Sequence, residues 1–191
     1  EYAPSFLPGT DKIVFLASAN DCSGTMQLWM MNADGTGRQQ ISFEANGVYD
    51  YLFSPCGKKV VLVETVSHEA SVQKNDDDLS KSTGIVANDL MYKHWDHYTK
   101  SAPHPFVADF DGNKISGAKD LLEGEPYESP MLPFGGTEQL AWSPDGKQIA
   151  YTCRKLSGID YAISTDSDIF LYDIESGETK NLCKPEGYVR P

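Results

Sequence analysis

Short apolar runs recur along this chain, each bounded by Pro, Gly or acidic residues, and their alternation fits strands. Residues 6–18 read FLPGTDKIVFLAS, residues 53–65 FSPCGKKVVLVET, and residues 142–154 WSPDGKQIAYTCR. Each begins with an aromatic, has Pro two residues later, turns at a basic residue and continues as an apolar β-rich run. Pro55-Cys56-Gly57-Lys58 and Pro144-Asp145-Gly146-Lys147 supply the fixed φ and the positive-φ position of a tight turn, so each copy predicts an antiparallel hairpin. A second element follows each hairpin, as 28–35 (LWMMNADG), 105–112 (PFVADFDG) and 169–177 (IFLYDIESG): a strand, then an acidic turn closed by Gly. A short last strand comes after it, as 38–42 (RQQIS), 118–122 (AKDLL) and 178–183 (ETKNLC). Helical periodicity is absent outside a stretch near 85–99. The expected fold class is all-β, built from four-stranded up-and-down units.

Spacing turns these units into blades. Phe6 and Phe53 are 47 residues apart, about one repeat of a β-propeller. Phe53 and Trp142 are 89 apart, yet only one copy of the second element lies between them. The excess falls between the first and second elements of the middle unit, which predicts an insertion of about 25 residues around 67–100. The expected organisation is a partial, open propeller over 1–191. Blade 1 covers about 1–45, blade 2 about 46–125 with the insertion, and blade 3 about 126–185, with 186–191 leading into a further blade. Three blades are too few to close a ring. The apolar blade faces left open predict self-association.

The repeats resemble those of TolB-like propellers in their Ser-Pro-Asp-Gly-Lys hairpins and Leu-Tyr-Asp…Ser-Gly-Glu strand. The run Asp89-Leu90-Met91-Tyr92-Lys93-His94-Trp95-Asp96, followed by Pro105-Phe106-Val107-Ala108-Asp109, narrows the likeness. It is similar to the propeller of bacterial prolyl oligopeptidase-family serine peptidases, in the dipeptidyl-peptidase and acylaminoacyl-peptidase-like branch. Residues 121–130 (LLEGEPYESP), 133–136 (PFGG) and 164–169 (STDSDI) extend it. The resemblance implies an N-terminal propeller portion that gates and orients peptide substrates for an α/β-hydrolase domain lying elsewhere, without a cofactor. It also implies a periplasmic or extracellular protein. Its alternative is a TolB-like protein-binding propeller attached to no enzyme. No Gly-x-Ser-x-Gly pentapeptide occurs in the sequence, so no nucleophile elbow and no catalytic residue are expected in this stretch. Nor does an adjacent Glu pair occur, so an amino-terminal anchor of that form does not carry over.

Charge and composition narrow the partners. With 16 Lys+Arg against 28 Asp+Glu, the net charge is −12, which disfavours a nucleic-acid partner. Hydrophobic residues at 40% suffice for a core, and no apolar run reaches the ~18 residues of a membrane span. The sequence opens at Glu1 without Met, basic n-region or apolar h-region, so any targeting signal is expected to have been removed or to lie outside this stretch. Cys22, Cys56, Cys153 and Cys183 are too sparse for a disulfide framework, although Cys153 and Cys183 end strands of one blade and could be bridged.

Five residues are candidates for lining a substrate chamber: Tyr92, His94, Trp95 and Asp96 in the insertion, and Arg154 just beyond a strand end. The plainer reading makes Tyr92 and Trp95 anchors of the insertion, and Arg154 and Lys155 solvated turn charges. His94, Asp96, His97 and His104 lack a recognised metal spacing, and 75–78 (NDDD) fails the pattern of a calcium loop, so no metal is expected. The dispersed glycines form no nucleotide fingerprint. Trp29, Phe53, Trp95, Phe106 and Trp142 read as packing between blades rather than base stacking.

Overall fold

The Pro-x-Gly-Lys turns close their hairpins as the residue types require. In a computed structural model, which describes residues 1–21, 23–67 and 101–184, Gly57 N–H donates to Ser54 O at 2.8 Å and Gly146 N–H to Ser143 O at 2.9 Å. Both glycines have positive φ (67° and 71°), a region in which a side chain would be strained. The serine before each proline adds a second device. Ser54 Oγ accepts from Lys59 N–H at 3.0 Å and Ser143 Oγ from Gln148 N–H at 2.9 Å, so the hydroxyl satisfies the amide that opens the next strand.

Twelve strands result among the described residues. The first sheet contains β1 (Tyr2–Phe6), β2 (Ile13–Ser18), β3 (Met26–Met31) and β4 (Gln39–Gln40). The second contains β5 (Asp50–Phe53), β6 (Lys59–Ser67), β7 (Ser101–Phe110) and β8 (Ile115–Asp120). The third contains β9 (Leu140–Trp142), β10 (Gln148–Cys153), β11 (Asp168–Asp173) and β12 (Thr179–Asn181). Each sheet is antiparallel with its strands in sequence order. This is an all-β, propeller-type arrangement without a closed barrel.

Two departures from the sequence expectation are informative. β8 lies at 115–120, earlier than the expected 118–122; Leu121 N–H still donates to Pro105 O of β7 at 2.9 Å, and Leu121 and Leu122 are buried against the third sheet. A six-residue helix, α1 (Gly158–Ile163), follows β10. It is too short to impress a 3.6-residue period on the sequence, and none of its residues is buried.

The core lies between sheets. Even-numbered residues of β2, β3, β6 and β7 (Val14, Leu16, Leu28, Met30, Val60, Leu62, Ala108, Phe110) join the first sheet to the second. Odd-numbered Val61, Val63 and Val107 meet Ile149, Tyr151, Phe170 and Tyr172 between the second and third. β6 is therefore buried on both faces from Val60 to Val63, which explains its unbroken apolar run. Aromatic polar groups pin the first strands of neighbouring sheets. Tyr51 Oη lies 2.6 Å from Ala3 O and 2.8 Å from Val14 O, and Trp142 Nε1–H donates to Leu52 O at 2.9 Å. On the far side of the first sheet, Arg38 covers Phe15 and Trp29 with its guanidinium. Among the described residues no helix is long and apolar enough to cross a membrane.

Candidate substrate-facing site

Up-and-down order fixes which connections share an end of a sheet. In the third sheet, the segment entering β9, the loop from β10 to β11 and the residues after β12 leave from one end. Three chain segments converge there: 125–128 after β8, Arg154–Lys155 after β10, and α1.

Glu128 is 3% exposed, and Tyr161 of α1 donates its hydroxyl hydrogen bond to Glu128 Oε1. Burial first, then the neighbouring carboxylate, raises the pKa of Tyr161, so its hydroxyl stays a neutral donor. The Arg154 guanidinium lies 4.9 Å from the centre of the Tyr161 ring, and Nη1 donates to Tyr161 O at 3.5 Å. Its Nε is buried and has no hydrogen-bond partner among the described residues. Beside this group, Lys155 Nζ pairs with Glu125 Oε2 at 2.6 Å and sits 4.6 Å from the Phe170 ring centre.

The arrangement sets an acidic side chain, a phenol and a guanidinium side by side. Arginine's planar fork suits carbonyl or carboxylate oxygens, and a buried carboxylate favours a cation or a hydrogen-bond donor. Large apolar side chains are exposed in the same connections: Phe134, in the segment that enters β9, is 94% exposed, and Ile159 and Ile163, on one face of α1, are 63% and 75% exposed.

Of the five sequence candidates, Arg154 stands in this group. Tyr92, His94, Trp95 and Asp96 lie outside the described residues, as does His97. Glu128 and Tyr161 escaped the sequence reading. The acidic-aromatic run from Glu125 to Glu128 was visible, but nothing local ties it to residues about thirty positions later. His104 belongs to the second sheet, where its Nδ1 lies 2.8 Å from Asp120 Oδ2. No group of three or more potential metal ligands occurs among the described residues. Cys56, Cys153 and Cys183 are free thiols. Burial pushes the Cys153 thiol up to about 12, whereas Cys183 Sγ accepts from Ile169 N–H at 3.3 Å.

No protein-family model matches the chain. Dipeptidyl-peptidase 5 of Porphyromonas gingivalis is 44% identical over 184 residues, which is 96% of this chain and 26% of that protein. Over nearly its whole length the chain is similar to one part of dipeptidyl-peptidase 5. It spans about a quarter of the length of the curated relatives it matches, a second being dipeptidyl-peptidase 5 of Porphyromonas endodontalis at 41% identity. Among solved structures, an acylaminoacyl peptidase of Pyrococcus horikoshii superposes with a TM-score of 0.59 at 16% identity, covering 95% of this chain and 25% of that one. TolB of Acinetobacter baumannii gives 0.50 at 18% identity, covering 94% and 31%. Those likenesses support the fold.

Proposed function

We propose that this chain is a non-catalytic part of the propeller of a dipeptidyl peptidase, and that it admits and orients short peptides for an α/β-hydrolase domain elsewhere in the polypeptide. The observation that carries the reading is the Arg154–Tyr161–Glu128 group, which sits at one end of the third sheet beside exposed Phe134, Ile159 and Ile163. Arg154 binds a peptide oxygen through its guanidinium and holds the chain for attack. Glu128 and Tyr161 fix the guanidinium. The apolar side chains form the surface on which a second domain rests. Tyr92, His94, Trp95 and Asp96 are further members of the chamber on this reading. The chemistry of acyl transfer belongs to the other domain, so the propeller contributes binding energy and access. A periplasmic or extracellular location goes with the reading, and cell fractionation checks it.

The test is made in the full-length protein that contains this stretch. Replacing Arg154 with Ala removes a charge-assisted hydrogen bond, worth about 1.5–3 kcal/mol. It should lower kcat/KM for dipeptide-releasing substrates about 10- to 100-fold, mostly through KM, while Tm stays put. Unchanged kcat/KM in a stable variant would remove Arg154 from the chamber. Absence of peptidase activity from the wild-type full-length protein would favour the TolB-like binding module instead.

A further inference from the structure

Where β6 leaves its apolar run, the next even-numbered residue is Glu64. Parity directs it to the same side as Val60 and Leu62, towards the first sheet. It is only 5% exposed, and its Oε1 is buried without a hydrogen-bond partner among the described residues. Directly across the ladder stands His104, 1% exposed, whose Nδ1 is 2.8 Å from Asp120 Oδ2. Asp120 is itself fixed, because its Oδ1 accepts from Leu122 N–H at 2.8 Å. One residue before Glu64, Val63 O accepts at 2.7 Å from the amide of Tyr49, in the connection that arrives from the first sheet. That connection also carries Glu44, half-buried.

We propose that Glu64 is a proton-operated latch between the first and second sheets: protonated, it seats the 41–49 connection against β6, and ionised, it loosens that contact. A buried carboxylic acid needs no counter-charge, whereas a buried carboxylate does. Among the described residues the titratable groups facing it are Glu44 from the connection, His104 from β7 and Asp120 from β8. Two of the three are carboxylates, and Lys114, in the β7–β8 turn, acts on Glu44 rather than on Glu64. Asp50 at the start of β5 is engaged elsewhere, with Thr137 and Glu138. Burial first, then Glu44 and Asp120, pushes the Glu64 carboxyl up to about 7 from an ordinary 4.5.

The direction of the effect follows. A carboxyl that holds its proton more tightly folded than unfolded contributes stability that is fully present below the unfolded value. That contribution is lost as pH rises through the folded value. The latch therefore tightens in acid and weakens between about pH 5 and pH 8.

Glu64→Gln keeps the shape and removes the charge. In the protein as described, its Tm should equal that of wild type near pH 5 and exceed it by about 5 °C at pH 8. The amide of Tyr49 reports the contact directly. Its hydrogen-exchange protection, normalised for intrinsic rate, should fall about tenfold in wild type between pH 5 and 8 and stay level in the variant. Should Glu64→Gln fail to fold, Glu44→Gln gives the same reading from the other side, by shrinking the pH dependence of the wild type. A Tm offset independent of pH, or a Tyr49 protection factor that does not respond to pH, would overturn the latch.

Discussion

β6 shows two kinds of interface on one strand. Its odd face, Val61 and Val63, enters an almost wholly apolar contact with Leu140, Ile149, Tyr151 and Phe170 of the third sheet. Its even face starts alike, with Val60 and Leu62 against Leu16 and Leu28 of the first sheet, and then ends in Glu64 beside His104. The first-to-second contact also uses hydrogen bonds, since the Tyr51 hydroxyl reaches backbone oxygens of the first sheet. The second-to-third contact adds to its packing the Trp142 indole donor and the Lys119 ammonium, 5.6 Å from the Tyr172 ring centre. Hydrophobic burial is indifferent to pH, but a buried carboxylate is not, so Glu64 opens the first-to-second contact to control by protons.

Truncation of the core tests the feature the two interfaces share. Leu62→Ala on the even side and Ile149→Ala on the odd side each remove a fully buried side chain. Each should cost about 3 kcal/mol in denaturant unfolding, whatever the pH. A smaller effect should separate them. Tyr51→Phe deletes the hydroxyl that Ser5, Ala3 and Val14 surround, and should cost about 1 kcal/mol, confined to the first-to-second contact. Loss of protection in first-sheet amides, with the third sheet unchanged, would confirm the confinement. The smallest effect lies outside both interfaces. Lys59 and Asp109 form an ion pair across β6 and β7 at 2.5 Å, with Asp109 70% exposed. Asp109→Asn should change stability by less than about 0.5 kcal/mol and become silent in high salt.

Much of the fold is legible in single residues. Ser-Pro-x-Gly-Lys carries its turn in its own chemistry, because proline fixes φ, glycine takes positive φ and serine caps the next amide. Ile149, Tyr151 and Cys153 point inward by simple alternation, and four consecutive valines and leucines announce a strand covered on both sides. The candidate site is less legible. Arg154 stands out as a charge beyond a strand end, but its partners do not. Glu128 and Tyr161 are 33 residues apart, and α1 is too short to leave a period.

Glu64 marks the boundary between the two kinds of information. By itself the sequence determined the strands, their turns and which residues share a face, since those depend on local sterics and a period of two. It would pass Glu64 as the solvated end of a strand. Only the tertiary structure decided that this face stays covered one residue pair further, and placed His104, Asp120 and Glu44 around it. Burial and electrostatic neighbours are set by chain segments distant in sequence, and no local pattern encodes them.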